Sequence, residues 1–394
     1  MAESLDDFAR GKLAALEQHN LRRRLTTTER AGPIEVIRDG KRLISFSCND
    51  YLNLSQHPKI KAAAIEATET YGAGSGGSRL VTGNHPLFDG LEARLAEFKG
   101  TEAAVVFGSG YLANTGIIPT LITGNDGIFV DQLAHACIHA GSQLSPGATH
   151  QFRHNDLDHL KSLLDTHRSG YQRALIVTDG VFSMDGDLAP VGALYDLAEA
   201  HDAWLMTDDA HGIGVVGEGG KGSSHVDGSG KIPHLQMGTL SKAIGGYGGY
   251  LCASKPVIEL IKTRCRTLIY STGLPPGVVA AAIAALELIE AEPDYAARPL
   301  TKARAFTTAL GLPEAESPIV PLIIGDTEPT MAAAKRLEDA GFLVVPIRPP
   351  TVPEGTARLR FTFTAEHDDA DIAGLAEFVR QEILKGGAPS TACS

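Results

Sequence analysis

The sequence predicts an α/β chain: a large domain on a mostly parallel, buried sheet, followed by a smaller C-terminal α/β domain. Three observations carry this. Apolar runs of strand length alternate with stretches of helix length between about residues 103 and 237, the β–α rhythm of a parallel sheet covered on both faces. Two of these runs end in glycines or in paired carboxylates, as strand ends facing a ligand crevice do. Near residue 293 the rhythm changes to the strands and helices of a second unit.

The elements follow in order. Residues 4–24 read as one amphipathic helix. Residues 34–46 alternate like a hairpin, with the turn at Asp39-Gly40. Residues 57–71 read as a helix opened by Pro58 in its first turn. Strands are predicted at 103–107, 127–130, 173–177, 203–207 and 234–237, with helices at 111–121, 133–143 and 194–201, the last following Pro190. Beyond residue 293, strands are expected at 317–324, 343–347 and 357–363 and helices at 331–340 and 368–384, with a frayed tail from 385 to 394. The segments are therefore an N-terminal helix and hairpin (1–45), the large domain (46–290) and the small domain (291–394).

Composition narrows the function classes. The 394 residues are 43% hydrophobic and 21% charged, with a net charge of -12, which argues against a nucleic-acid partner. No apolar run approaches the ~20 residues of a membrane span, and the N-terminus has no signal-peptide core. Five scattered cysteines without a C-x-x-C pair argue against a disulfide framework, so a reducing cytoplasm is the expected home.

Four segments carry the chemistry. In Val105-Val-Phe-Gly-Ser-Gly-Tyr111, a strand runs through glycines into a helix. Free amides at a helix N-terminus hold phosphate, and Tyr111 would add an aromatic wall; alone, the segment is only a tight turn. In Ala203-Trp-Leu-Met-Thr-Asp-Asp-Ala-His211, an apolar strand ends in two carboxylates and a histidine, and a carboxylate there suits a pyridine nitrogen; the bland alternative is a helix cap or metal site. Gly238-Thr-Leu-Ser-Lys-Ala243 sets Lys242 among small and hydroxyl residues, unusual for a solvated lysine, with Thr239 placed to bind phosphate. Gly180-Val-Phe-Ser-Met-Asp-Gly-Asp187 puts Ser183 at the sheet edge; by itself it is a polar turn.

Their joint order resembles the fold-type I pyridoxal-phosphate enzymes, and within them the α-oxoamine synthases, from about Leu21 to His367. Further matching segments are Asn20-Leu-Arg-Arg-Arg24, Asn49-Asp-Tyr-Leu52, Gly74 to Gly83, Ile347-Arg-Pro-Pro-Thr-Val-Pro353 and Arg358-Leu-Arg-Phe-Thr362, and Arg79-Leu-Val sets the chain nearest the biotin-pathway branch. The resemblance implies a large, mostly parallel sheet of the seven-stranded type, and pyridoxal 5'-phosphate bonded to Lys242. His135 would stack on the cofactor ring, Asp208 would face its nitrogen, and Gly110, Tyr111, Ser183, His211 and Thr239 would complete its site. Arg23 and Thr351 would contact the acyl substrate, with Asn49 also at the substrate. Arg360 would hold the amino acid's carboxylate. Cys48, Cys137 and Phe88 depart from the family pattern and bear on fine substrate contacts.

The implied reaction is decarboxylative condensation of L-alanine with a pimeloyl thioester, carried on coenzyme A or acyl carrier protein, in a cytoplasmic homodimer. Ser271 and Thr272 are candidates for reaching a neighbour's phosphate. The alternatives are a glycine- or serine-using synthase of the same family, and a catalytically inactive binding protein on the same fold. Two G-x-G-x-x-G matches fail as dinucleotide sites: Gly72–Gly77 follows a helix, and Gly212–Gly217 runs into Glu218-Gly-Gly-Lys-Gly222, which cannot open one. His135 and His139 have a zinc-compatible spacing but no evident third ligand.

Overall fold

The structure, a computed structural model, describes residues 3–18 and 21–384. Asn20 and the tail at 385–394 lie outside the described residues. The first β elements are β1 (Glu29–Arg30), β2 (Glu35–Arg38) and β3 (Lys41–Ser45). The seven strands of the large sheet follow, β4 (Ala103–Phe107), β5 (Gly127–Asp131), β6 (Ala148–Phe152), β7 (Ala174–Asp179), β8 (Trp204–Asp208), β9 (Leu235–Thr239) and β10 (Gly249–Ala253). The last four are β11 (Ile319–Gly325), β12 (Phe342–Leu343), β13 (Val345–Ile347) and β14 (Ala357–Thr362).

The large sheet has seven strands in the order β4-β10-β9-β8-β7-β5-β6. Pairing is parallel from β9 across to β6, and β10 runs antiparallel to both β9 and β4. Central strands bury both faces, which is why β7 (ALIVTD) and β9 (LQMGT) lie buried throughout, the Gln236 side chain within β9 being satisfied by Ser224 Oγ and Lys99 O. Ile176 and Leu205 have no exposed surface, and burying such a side chain contributes ~1.5–3 kcal/mol. Strands β6 and β10 were not anticipated. β6 (ATHQF) is an edge strand, largely exposed and polar; β10 (GYLCA) is a short apolar run with no helix before it. The helix Leu87–Lys99 was likewise not expected.

The Asp39-Gly40 hairpin forms as expected, both turn residues taking positive φ (49° and 75°). It does not stand alone: β3 pairs parallel with β12, so the N-terminal hairpin and a C-terminal strand share one sheet. The single strand expected at 343–347 is therefore two. The chain passes from β12 into β13 at Val344, which is buried in a core with Leu359 and Phe361, and β13 pairs with β14 in the sheet β11-β14-β13. His367 ties these layers together: its ring stacks on Phe46 at 4.1 Å between centroids, and its Nε2 meets Ser45 O at 3.1 Å. The N-terminal helix spans Leu5–Gln18 and buries none of its residues. No helix among the described residues is long and apolar enough to cross a membrane.

Candidate active site

The site begins where β7 and β8 end. Their register sets Asp179 opposite Asp208, so two carboxylates leave the sheet side by side. The next residue points the other way, as alternation along a strand requires. Asp209 turns to the Lys99 ammonium, Oδ2 to Nζ 2.9 Å, with both side chains essentially unexposed, and it accepts from the Ser223 backbone N–H. Of the two adjacent aspartates, only Asp208 reaches the cavity.

Asp208 Oδ2 accepts from Asn114 Nδ2 at 2.6 Å, and its Oδ1 accepts from the Ala210 N–H at 3.0 Å. Asn114 lies one turn into the helix Gly110–Leu121, whose start is capped by Ser109 accepting from the Leu112 N–H. The Asn114 amide also reaches Cys137 Sγ; burial and the nearby Asp208 charge push that thiol up to about 12, so it stays protonated. Asp179 Oδ2 accepts from the His135 N–H at 3.1 Å, while its Oδ1 is buried without a partner. Burial first, and then the Asp208 charge, raise the Asp179 carboxyl well above the usual range.

Across from these carboxylates, Lys242 follows β9 in the turn expected for it. Its Nζ lies 2.8 Å from His211 Nε2, and His211 Nδ1 lies 2.7 Å from the Tyr51 hydroxyl. Burial lowers the Lys242 pKa against the opposing pull of Asp208, and burial with the neighbouring Lys242 charge holds His211 well below its usual value. A neutral imidazole has one donor and one acceptor. Because the Tyr51 hydroxyl can play either part, His211 can offer Lys242 either a lone pair or an N–H.

Arg360, on β14, stands beside the Lys242–His211–Tyr51 chain. Its Nε donates to Ser183 O, its Nη1 to Asn49 Oδ1 at 3.2 Å, and its Nη2 to the Tyr51 hydroxyl at 3.4 Å. The residue is 6% exposed, and it makes no ion pair with a carboxylate among the described residues. An internal salt bridge, the ordinary explanation for a buried arginine, is absent here; the neighbouring Arg358 has one, to Asp185.

Asp179, Asp208, His211 and Lys242 line a cavity of about 210 Å³, whereas Arg360, Asn49 and Tyr51 are not among its lining residues. Gly110, Tyr111, His135, Ser183, Thr239 and Lys242 all line it, so the residues picked out for the cofactor come together. A Cβ on Gly110 would stand 3.2 Å from Met237 Cε, so the helix N-terminus packs tightly against the strand end. The Thr239 hydroxyl donates to Gly248 O at 2.7 Å, which commits its proton within its own turn. Arg23 and Thr351 do meet, Nη2 to Oγ1 2.9 Å, but they are exposed and lie outside the lining of this cavity. Thr272 bridges Ser78, and both Ser271 and Thr272 line a separate crevice. Asp179, Asn114 and Tyr51 were not singled out from the sequence. Asp179 stands directly before the Gly180 segment and Tyr51 within Asn49–Leu52, but neither has a local signature apart from its partners.

Residues 41–379 match the family model for class I and II aminotransferases. The 8-amino-7-oxononanoate synthase of Beijerinckia indica is 62% identical over 376 residues, 95% of this chain and 97% of that one. The chain belongs to the 8-amino-7-oxononanoate synthase family. Its fold is also that of serine palmitoyltransferase from S. paucimobilis, solved with bound pyridoxal phosphate and myriocin: TM-score 0.90, 30% identity, 96% and 98% of the two chains covered. The 8-amino-7-oxononanoate synthase of Francisella tularensis superposes with TM-score 0.75 at 28% identity, covering 87% and 98%. The family's enzymes are pyridoxal-phosphate-dependent acyltransferases of fold type I, and this chain is one of them. The residues present fit that cofactor. A buried amine with disfavoured protonation faces two strand-end carboxylates, one of them with an unpartnered oxygen. A helix N-terminus with no acidic residue in its first turn opens onto the same cavity.

Proposed function

We propose that the chain condenses L-alanine with a pimeloyl thioester, releasing carbon dioxide and the thiol and forming 8-amino-7-oxononanoate. In this reaction the Cα–H and Cα–carboxylate bonds of alanine break and Cα bonds to the acyl carbon. The thiol leaves with a proton from solvent, and Cα regains a proton after decarboxylation. The observation that carries the reading is Arg360: a buried guanidinium, without a carboxylate partner of its own, beside the Lys242–His211–Tyr51 chain. It suits an amino acid's carboxylate, because an unpaired buried cation is costly until an anion arrives.

The cofactor would be held by Lys242 at its aldehyde, Asp208 at its ring nitrogen, His135 over its ring and the Gly110–Tyr111 helix start at its phosphate, with Ser183, His211 and Thr239 around it. When bound, pyridoxal phosphate supplies an electron sink for negative charge at the substrate's Cα. The chain's own residues do the rest. Asp208, fixed by Asn114 and the Ala210 N–H, presents its carboxyl group to the cavity. Lys242 takes the Cα proton and later returns it; its lowered pKa makes the free amine accessible, and His211 fixes the position of Nζ. Arg360 fixes which bond to Cα is aligned for cleavage. Arg23 and Thr351, joined at the surface, are assigned to the acyl donor, whose polar far end suits an arginine.

The test is a matrix of alanine, glycine and serine against pimeloyl, succinyl, acetyl and palmitoyl thioesters, each donor offered on coenzyme A and on acyl carrier protein. Highest turnover with alanine and a pimeloyl donor is the expected result. Faster turnover of serine with a palmitoyl donor would replace this reading with that of the serine palmitoyltransferases, whose fold the chain shares.

A further inference from the structure

The turn that carries Ser183 is held from both domains. From the small domain, Arg360 Nε donates to Ser183 O, Arg358 pairs with Asp185 and reaches Met184 O at 3.3 Å, and Gly186 sits so close to β11 that a Cβ there would come within 2.2 Å of Ile319 O. From the large domain, two adjacent residues hold Asp187, His154 and Asn155. His154, just past the end of β6, meets Asp187 Oδ2 through Nε2 at 2.7 Å and Asp131 Oδ1 through Nδ1 at 3.2 Å. Its ring also meets Phe182 edge to face, at 4.3 Å between centroids.

Both ring nitrogens face carboxylates, an arrangement only the imidazolium satisfies, since each nitrogen must then donate. The hydrogen bonds and charges of Asp131 and Asp187 outweigh burial and raise the His154 pKa to about 10, so the ring stays cationic at neutral pH. No other charged side chain among the described residues bonds it; Asn155, its neighbour, adds an amide bond to Asp187 Oδ2 at 3.1 Å and another to Leu188 O. Asp131 is anchored in turn at the end of β5, accepting from the Leu133 and Asn155 N–H groups. The hold is passed along the turn by two backbone bonds, Phe182 N–H to Asp187 O and Gly186 N–H to Phe182 O. Ser183 O, the acceptor that orients Arg360, stands at the other end.

We propose that His154 is a positioning residue for amino-acid binding: clamped between Asp131 and Asp187, it fixes the Ser183–Asp187 turn against the large domain and so sets where Arg360 presents its free N–H groups. The proposal rests on the assignment of Arg360 to the substrate carboxylate. It makes His154 distinct from the catalytic residues, since it touches none of the groups at the cavity.

The experiment uses the holoenzyme and its visible cofactor absorbance to measure the dissociation constant of L-alanine, with steady-state kinetics alongside. His154→Gln should weaken alanine binding roughly tenfold and raise KM for alanine by a similar factor, with kcat for saturating alanine changed far less and the cofactor retained. Should His154→Gln not fold, Asp187→Asn removes one of the two carboxylates, leaves the His154–Asp131 bond, and should give the same direction with a smaller effect. In an Arg360→Met background His154→Gln should weaken alanine binding no further, because its effect runs through Arg360. An unchanged alanine dissociation constant in folded, cofactor-loaded His154→Gln, or in folded Asp187→Asn where the first variant fails to fold, overturns the proposal. So does additive weakening in the double variant. Arg360→Met binding alanine as tightly as the unmodified enzyme would instead defeat the assignment of Arg360, a separate outcome.

Discussion

Removing the Arg360 guanidinium while keeping its bulk, by Arg360→Met, separates substrate binding from folding. Its Nε is committed to Ser183 O, but its two terminal nitrogens make only long bonds to neutral groups, 3.2 Å to Asn49 Oδ1 and 3.4 Å to the Tyr51 hydroxyl. A carboxylate that takes both would gain two charge-assisted hydrogen bonds and give up two weak ones, a net of about 3 kcal/mol. That corresponds to a loss of roughly 150-fold in alanine affinity in the variant. Stability should move little. Three acceptors lose their donor, which costs about 1 kcal/mol each, while an unpaired buried cation is removed, which returns a similar amount. The assay is titration of the holoenzyme with L-alanine and, in parallel, with ethylamine, which has no carboxylate. The unmodified enzyme should prefer alanine strongly, and the variant should scarcely distinguish the two. Retained preference for alanine in a folded, cofactor-loaded variant would refute the reasoning.

Other outcomes follow from the same site. Borohydride treatment of the holoenzyme should abolish its visible absorbance and leave the label on Lys242, and a label on any other lysine would remove it from its role. Asp208→Asn should nearly abolish exchange of the alanine Cα proton into deuterated water in a protein that still folds. Asp209→Asn should act on stability instead, since it leaves the Lys99 ammonium buried without its carboxylate at a cost of about 3–5 kcal/mol, and what remains folded should still exchange. The reverse pattern would exchange the two assignments. Burial holds His367 down at about 4, below its unfolded value of 6.5, so the unfolded chain takes up the proton first as pH falls. The stabilisation is complete above pH 6.5 and is lost between 6.5 and about 4, roughly 3 kcal/mol across the window. Denaturant midpoints measured across that range should fall less steeply in His367→Asn than in the unmodified protein, and parallel slopes would contradict it.

Segments whose meaning is local are legible in the amino-acid order. β7 and β8 are central strands buried on both faces, so their apolar runs announce them, while β9, interrupted by Gln236, is marked chiefly by the Thr239–Lys242 motif that follows it. The strand-end motifs at Asp208–His211 and Thr239–Lys242 sit within a few residues of those strands, which is why they could be read in place. The edge strand β6 could not be, because its exposed face makes it polar, nor could the split of β12 from β13, which depends on two different sheets competing for adjacent residues. Tertiary structure alone decided the pairings across the chain. It faced Asp179 with Asp208 through strand register, gave Asp209 to Lys99, brought Tyr51 between His211 and Arg360, and left Arg360 without a carboxylate. It also joined Arg23 to Thr351 at the surface, outside the cavity that Lys242 lines. The physical reason is common to all of these. Strand order and domain packing fix which distant side chains meet, and a charge or hydrogen-bonding group acquires its chemistry from the partner it meets rather than from its neighbours in sequence.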